Sequence, residues 1–172
     1  MKKIHEIVAN RAEVEIFEMP TMKLVGRETR CGGPDFLRNK ANELWEIILE
    51  DGSFEVIKRL PSIIPGAIMA WTGNYTEEDH TFSYIIGKFV PSDTPVPKGF
   101  TGRILPETFI AKGIYGQEYS MIDVYKSWGY TQNYDLFGWN AEVAFEDDPD
   151  EPDWLHFCEK KLWTSISPVK KI

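Results

Sequence analysis

Apolar and polar residues alternate in the segments that we predict to be strands. Residues 14–30 (VEIFEMPTMKLVGRETR) predict an extended strand that Pro20 breaks or bends, because proline cannot donate a hydrogen bond to a neighbouring strand. Two shorter strands are predicted at residues 67–75 (AIMAWTGNY) and 80–90 (HTFSYIIGKFV), with a polar turn between them.

A change to a period of three to four residues marks the first predicted helix. It opens after the glycines and proline at residues 32–34 and ends at Asp51-Gly52. An irregular stretch is predicted from there to about Pro65. The apolar stripe of the helix consists of Leu37, Ala41, Leu44, Trp45 and Ile48.

The second half of the chain repeats this order of elements. Residues 91–99 (PSDTPVPKG) predict a linker, and residues 101–116 predict a strand interrupted by Pro106. Two further strands are predicted at residues 138–147 and 153–166, joined by an acidic turn. A short helix is predicted after the interrupted strand and before these two strands, from the spacing of Met121, Val124, Tyr125 and Trp128.

The order strand–helix–strand–strand therefore occurs twice, which predicts an α+β fold. We expect a single domain whose first half spans about residues 13–90 and whose second half spans about residues 100–168, with the linker at residues 91–99. Because two helices would cover about six strands, we expect one face of the sheet to carry the helices and part of the other face to stay open.

The strand at residues 138–146 carries an acidic residue in its centre. Side chains of a strand point alternately to its two faces, so Glu142 shares a face with Asn140 and Ala144. We expect Glu142 to point to the open face of the sheet, where it is either solvated or lines a pocket. The opposite, core face would hold Trp139, Ala141, Val143 and Phe145.

Composition narrows the classes of function. The chain has 172 residues, of which 42% are hydrophobic and 13% aromatic, including six tryptophans; such aromatics supply core and also line small-molecule pockets. The formal net charge is −8, with 27 acidic and 19 basic residues, so nucleic acid would be repelled. We therefore expect no nucleic-acid partner.

Cysteine and histidine usage gives no sign of a disulfide framework or a metal site. Cys31 and Cys158 are too few for such a framework and fit a reducing compartment. The histidines at positions 5, 80 and 156 lack the spacing of metal ligands. Without a signal peptide or a membrane-spanning stretch, we expect a cytoplasmic protein with no metal, no cofactor and no membrane association.

Several short patterns resemble one family. Tyr84–Gly87 is similar to its Tyr-x-x-Gly strand, Val96–Phe100 to its Val-Pro-x-Gly-Phe linker, and Pro106–Gly113 to its proline-containing strand that ends in glycine. The segments VYKSWGY (124–130) and NELWEII (42–48) are similar to its two helices. From about Val14 to Ile166, the chain resembles the GyrI-like small-molecule-binding domains, also called AraC-type effector-binding or SOUL/GyrI-like domains.

The resemblance implies an architecture and a site. Such domains consist of two strand–helix–strand–strand modules around a pseudo-two-fold axis, with helices on one face of an antiparallel sheet and a ligand cleft between the halves. In drug-responsive regulators they bind hydrophobic cations through aromatic residues and a glutamate that corresponds here to Glu142. A second acid of the family corresponds to Lys161, two residues before Trp163. That departure argues against dicationic ligands, or means that Lys161 neutralises part of the pocket.

A carboxylate among aromatic faces suits a lipophilic cation, which ring quadrupoles attract by ~0.5–2 kcal/mol each. Strand alternation places Trp139 opposite Glu142, so Trp139 would reach the cleft only through a bulge or at the start of its strand. The predicted ligand-binding residues are Glu142, Trp71, Tyr84, Phe109, Trp163 and Trp139, with Tyr115 and Phe82 behind them.

Three classes of function remain open. The preferred one is a stand-alone protein that senses or sequesters hydrophobic, cationic aromatic molecules; no DNA-binding segment precedes Val14, so we expect no regulator of transcription in this chain alone. The second is a GyrI-like hydrolase with Glu142 as general base, which Lys161 at the second acid position disfavours. The third is a protein-interaction module of the gyrase-inhibitor type.

Overall fold

The computed structural model describes residues 2–9, 12–32, 37–114, 118–136, 138–145 and 164–172. The helices in these ranges are α1 (Leu37–Glu50), α2 (Ser53–Arg59) and α3 (Glu118–Ser127), and Tyr134–Leu136 form one 3-10 turn. The strands are β1 (Lys2–Ala9), β2 (Ala12–Met19), β3 (Met22–Gly32), β4 (Ala67–Thr76), β5 (Thr81–Pro91), β6 (Thr101–Leu105), β7 (Thr108–Ile114), β8 (Tyr130–Gln132), β9 (Asn140–Phe145) and β10 (Thr164–Lys171).

All strands of the described residues form one antiparallel sheet. Its order is β1-β2-β7-β10-β9-β4-β5-β3-β6, and the short β8 pairs with β10. The central six strands have the same order on both sides of the middle of the sheet. Counted outward from the middle, the first half contributes β4, β5 and β3, and the second half contributes β9, β10 and β7. The predicted α+β fold with two strand–helix–strand–strand modules is thereby confirmed, with a pseudo-two-fold axis between β4 and β9.

Two very short connections join strands from opposite ends of the sheet. Pro20 and Thr21 lead from β2 to β3, and Pro106 and Glu107 lead from β6 to β7, six strand positions apart in each case. A flat sheet would separate those strands by about 29 Å. Three Cα–Cα steps reach at most about 11 Å. The sheet therefore curls into a half-barrel.

The chain breaks at Pro20 and at Pro106, as predicted for the strands at residues 14–30 and 101–116. The two parts of each predicted strand belong to different ends of the sheet, which was not predicted, and the proline lies in the crossing between them. A proline fits there because the crossing needs no ladder hydrogen bond. β1 and α2 were also not predicted; α2 has only seven residues, too few to show a helical period, and it occupies the stretch predicted to be irregular.

The concave side of the half-barrel is closed by large apolar side chains. Trp71 and Trp139 lie with ring centroids 6.4 Å apart, and Phe89 meets Trp139 edge-on at 5.7 Å. This core comprises Met19, Met22, Leu24, Ala67, Met69, Trp71, Ile85, Phe89, Leu105, Ile110, Trp139, Ala141, Val143 and Ile166. The predicted core positions Trp139, Ala141 and Val143 are confirmed as buried. The side chain of Phe145, the fourth predicted position, lies outside the described residues.

The convex side carries the helices at its two ends. α1 and α2 pack on one half, over Ile68, Ala70 and Ile86, and α3 packs on the other, over Ile16 and Ala111. Helices on one face were predicted, and this is confirmed.

Glu142 points to the same face as the helices, not to an opposite open face as we had predicted. Its cross-strand partner Ala70 packs under α1 and α2. On the other side it pairs with Ser165, which pairs with Gly113 beneath Met121 of α3. The prediction failed because the curl buries the opposite face as core. Among the described residues, the open part of the sheet is a strip between the two helix layers, which includes Thr72, Asn140 and Glu142 and which we call the convex strip.

A glycine pair sets how closely β3 and β5 approach. Gly26 and Gly87 are register partners, and a Cβ on Gly87 would lie 2.1 Å from the Val25 carbonyl oxygen. Such a contact cannot be relieved by a side-chain rotation, because the opposing atom belongs to the backbone.

We therefore expect Gly87→Ala to lower the free energy of unfolding by about 2 kcal/mol or more. Urea denaturation followed by circular dichroism would measure this as a lower midpoint. Thr29→Ala, at a half-buried position on β3, serves as the control and should cost less than about 1 kcal/mol. Equal effects of the two substitutions would contradict the close approach of the strands.

Candidate functional site

The β4–β5 hairpin departs from regular alternation just where it borders the convex strip. The register shifts between Gly73 and Thr76, and Asn74 adopts a left-handed conformation with φ 59°. This irregularity breaks the two-residue period, so that Tyr75 borders the same cavity as Thr72.

Arg30 on β3 fixes this irregular hairpin. Its guanidinium donates to the Asn74 carbonyl oxygen at 3.2 Å and to the Ser83 hydroxyl at 3.0 Å. It also donates to the hydroxyls of Thr76 and Thr81. A guanidinium has five N–H donors in a rigid plane, so one side chain can hold both strands of the hairpin.

The Asp79 carboxylate organises the turn of the same hairpin. It accepts hydrogen bonds from the Thr76 hydroxyl at 2.6 Å, the Thr81 hydroxyl at 2.7 Å and the Thr81 amide at 3.0 Å. The hydrogen bond from Thr76, followed by that from Thr81, lowers the pKa of Asp79 to about 2. The charged form of Asp79 is thus part of the turn that positions Tyr75 and Phe82.

A cleft of about 280 Å³ opens on the convex strip. This volume is close to the lower end of small-molecule sites, ~300 Å³. Tyr75 is 55% exposed at its rim, and its hydroxyl lies 2.8 Å from Nδ1 of His80. The described lining residues are Thr72, Gly73, Tyr75, Phe82, Gly138, Asn140 and Glu142.

Glu142 is the one residue of this described lining that is formally charged at neutral pH. It is half-buried, and its cross-strand neighbours Ala70 and Ser165 are small. Beside it, the Thr72 hydroxyl donates to Oδ1 of Asn140 at 2.7 Å, which turns the Asn140 amide nitrogen away from Thr72. The cleft thus combines one carboxylate, two aromatic rings and an amide.

A second, smaller cavity of about 40 Å³ shares Gly138 and Asn140 with the cleft. It lies where the 3-10 turn after β8 approaches β10. Its other lining residues are Gln132, Asn133, Tyr134, Trp139, Ser167 and Pro168.

The structure brings together only part of the predicted set of ligand-binding residues. Glu142 and Phe82 line the cleft. Tyr84 lies on the same face, where it pairs with Thr72 and packs against the α1 layer, and its hydroxyl accepts a hydrogen bond from Nε1 of Trp45 at 3.1 Å. Tyr115, Trp163 and also Lys161 lie outside the described residues.

Trp71, Trp139 and Phe109 are not in the cleft. Trp71 and Trp139, 1% and 2% exposed, occupy the concave core, because odd-numbered positions of β4 and β9 point away from Glu142. Phe109 packs edge-on against Tyr130 at 5.7 Å in the α3 layer. The structure therefore places these three side chains outside the cleft, and their role in ligand binding stays a prediction.

Five lining residues were missed by the sequence reasoning. Asn140 could have been found, because it is two residues before Glu142 on the same strand. Tyr75 could not, because regular alternation assigns it to the face of Trp71, and the hairpin irregularity has no clear sequence signature. The remaining three are Thr72, Gly73 and Gly138.

The described part of the chain contains no group of three or more His, Cys, Asp or Glu side chains that could hold a metal ion. No helix among the same residues is long and apolar enough to cross a membrane.

The low pKa of Asp79 gives a pH dependence. Its folded-state pKa of about 2 lies below the ordinary value, so its stabilising effect on the hairpin is complete above about pH 4 and is lost as the pH falls through about 2. Carboxyl-carbon NMR should show Asp79 titrating near 2, and Thr76→Val should raise that pKa. Thr101→Val, outside the hairpin, should leave it unchanged; an ordinary Asp79 pKa in the wild type would refute the hydrogen-bonded turn.

Solved structures resemble this fold across nearly the whole chain. A Staphylococcus aureus MU50 protein assigned to bacterial transcription regulation has a TM-score of 0.63 and 14% identity, and the match covers 92% of this chain and 98% of that one. SAV2435 bound to tetraphenylphosphonium also has a TM-score of 0.63, with 15% identity and coverage of 92% and 94%. No protein-family model and no curated protein matches the sequence. The two likenesses establish the fold, which is consistent with a GyrI-like effector-binding fold.

Proposed function

We propose that this protein binds a hydrophobic, cationic aromatic molecule in the convex cleft and acts by sensing or sequestering it. Glu142 supplies the counter-charge, and Phe82 and Tyr75 supply aromatic contacts. The observation that carries the proposal is the lining of the cleft, which combines a half-buried carboxylate with two aromatic side chains and in which no described residue is formally positive.

The physical chemistry of the lining favours a cation over a neutral ligand. Each ring face attracts a cation by ~0.5–2 kcal/mol, more as water is excluded. A cation in the cleft interacts favourably with the Glu142 carboxylate, and partial burial weakens the solvent screening of that interaction. The net charge of −8 further raises the local concentration of cations around the protein.

The likeness to SAV2435 supports the same chemistry. That protein is bound to tetraphenylphosphonium, a cation whose charge is surrounded by four phenyl rings. The fold is shared over most of both chains, so a ligand of this class is the natural probe for the present cleft. The finer assignment to Glu142 rests on the geometry of this chain alone.

The charge assignment is tested by calorimetric titration with tetraphenylphosphonium and with neutral triphenylphosphine oxide. We expect the cation to bind saturably and Glu142→Gln to weaken it about fivefold or more, since one partly exposed charge pair is removed. Glu46→Gln, at an exposed position on α1, makes the same charge change outside the cleft and should leave the affinity unchanged. Equal affinity for the neutral analogue, or no effect of Glu142→Gln, would contradict the proposed role of the carboxylate.

The aromatic assignment is tested by two identical substitutions at different places. Phe82→Leu removes a ring from the cleft and should weaken tetraphenylphosphonium binding about threefold to tenfold. Phe109→Leu removes a ring from the α3 layer and should leave the affinity unchanged while lowering the thermal midpoint. The reverse pattern would place the ligand beneath α3 and not in the convex cleft.

A further inference from the structure

The two aromatic rings of the cleft come from the two strands of one hairpin. Tyr75 lies near the end of β4, and Phe82 lies near the start of β5. Tyr75 is 55% exposed and belongs to none of the three apolar clusters of the described residues. Apolar packing therefore does not fix the orientation of its ring.

A hydrogen bond at the tip of Tyr75 supplies what packing does not. The Tyr75 hydroxyl lies 2.8 Å from Nδ1 of His80, and the two ring centroids are 6.4 Å apart with the planes inclined by 39°. The ring is thus attached at both ends, through its own backbone on β4 and through its hydroxyl to His80. This bond restricts the side-chain torsions that set where the ring stands at the rim of the cleft.

The backbone of His80 is fixed by contacts that do not involve the His80 side chain. His80 has a left-handed conformation with φ 55°, and a Cβ on Gly32 of β3 would clash with its carbonyl oxygen. The next residue, Thr81, pairs with Gly32 on one side and with Thr76 on the other. The imidazole therefore stands on a rigid base, and its effect on Tyr75 can be separated from the fold of the hairpin.

A ring that is already held in place favours ligand binding. Immobilising a mobile side chain on association reduces the affinity, and a ring that is fixed beforehand avoids this loss. The bond to His80 engages the hydroxyl at the edge of the Tyr75 ring, whereas a cation binds over a ring face, so the two interactions do not compete.

We infer that His80 is a positioning residue for ligand binding, whose Nδ1 holds the Tyr75 ring in the orientation that contacts the aromatic cation. His80 is not among the described lining residues of the cleft, so it acts through Tyr75. The inference rests on the proposed function of the cleft and adds a residue that tunes its affinity from outside.

A double-mutant cycle on the full chain, with calorimetric titration of tetraphenylphosphonium, tests this role. Tyr75→Phe keeps the ring and removes its hydroxyl. His80→Gly removes the imidazole and suits the positive φ of this position. Each single substitution should weaken the affinity about threefold, and the double variant should be no weaker than either, because both substitutions break the same bond.

His80→Asn serves as the conservative variant. Asparagine tolerates the left-handed conformation, and its side-chain amide places a hydrogen-bonding atom as many bonds from the backbone as Nδ1 of histidine. We expect His80→Asn to retain the wild-type affinity. Tyr75→Phe leaves the backbone of the hairpin unchanged, so it tests the bond even if His80→Gly does not fold.

The contrary outcomes separate the positioning role from the cleft itself. Additive effects of about ninefold in the double variant, or His80→Asn binding as weakly as His80→Gly, would assign His80 a general role in the hairpin and overturn the inference. Wild-type affinity in both single variants would overturn it as well, with the cleft retained if Glu142→Gln and Phe82→Leu still weaken binding. Absence of tetraphenylphosphonium binding by the wild-type protein would overturn the proposed function and the inference together.

Discussion

The architecture depends on two connections that are too short for a flat sheet. Pro20-Thr21 and Pro106-Glu107 each join strands that lie six positions apart, so the sheet must bend until its ends meet. Bending makes the two faces unequal. The concave face becomes small and enclosed and fills with aromatic and aliphatic side chains, and the convex face becomes wide enough to leave a strip between its helices.

The cleft lies on that convex face, beside the helix layers of the described residues. α1 and α2 cover one half of the sheet and reach Ala144 of β9, just past the pseudo-two-fold axis, and α3 covers the other half over Ile16 and Ala111. The row of residues that crosses the axis is small on both sides of the acid: Ala70 precedes Glu142, and Ser165 and Gly113 follow it. Glu142 itself is half-buried at this position and lines the cleft, so its carboxylate remains partly hydrated where full burial would be costly.

The two-residue period of the strands was sufficient to predict the sheet face of some residues and was not applied to others. The alternation along β9 correctly separated Glu142 and Asn140 from Trp139, because a strand has a strict period of two. Trp71 was assigned to the site from its residue type alone, although the same alternation in β4 puts it on the face opposite Ala70 and Thr72. Applied to both strands, the period separates Trp71 from Thr72 and Trp139 from Asn140.

The remaining errors concern long-range pairing, which no local pattern encodes. Residues 14–30 look like one bent strand because both parts alternate, and only the pairing of β2 with β7 and of β3 with β5 shows that they are separate. The position of Tyr75 likewise depends on Arg30, which is distant in sequence and holds the Asn74 carbonyl from β3, two strands away from β4. The face that Glu142 shares with the helices was mispredicted for the same reason, since it follows from the curl.

The crossings also make the two halves inseparable. β2 belongs to the first half yet completes the sheet of the second beside β7, and β6 does the converse beside β3. This is the topology of a strand-swapped homodimer whose two subunits have been fused through residues 92–100. A single half cut from the chain would lose the pairing between β4 and β9 and the pairing at the crossing, so both edges of its three-stranded sheet would be unpaired and its leading strand would have no partner in that sheet. Exchanging leading strands with a second copy of itself, and pairing the inner edges of the two copies, would restore all of these pairings.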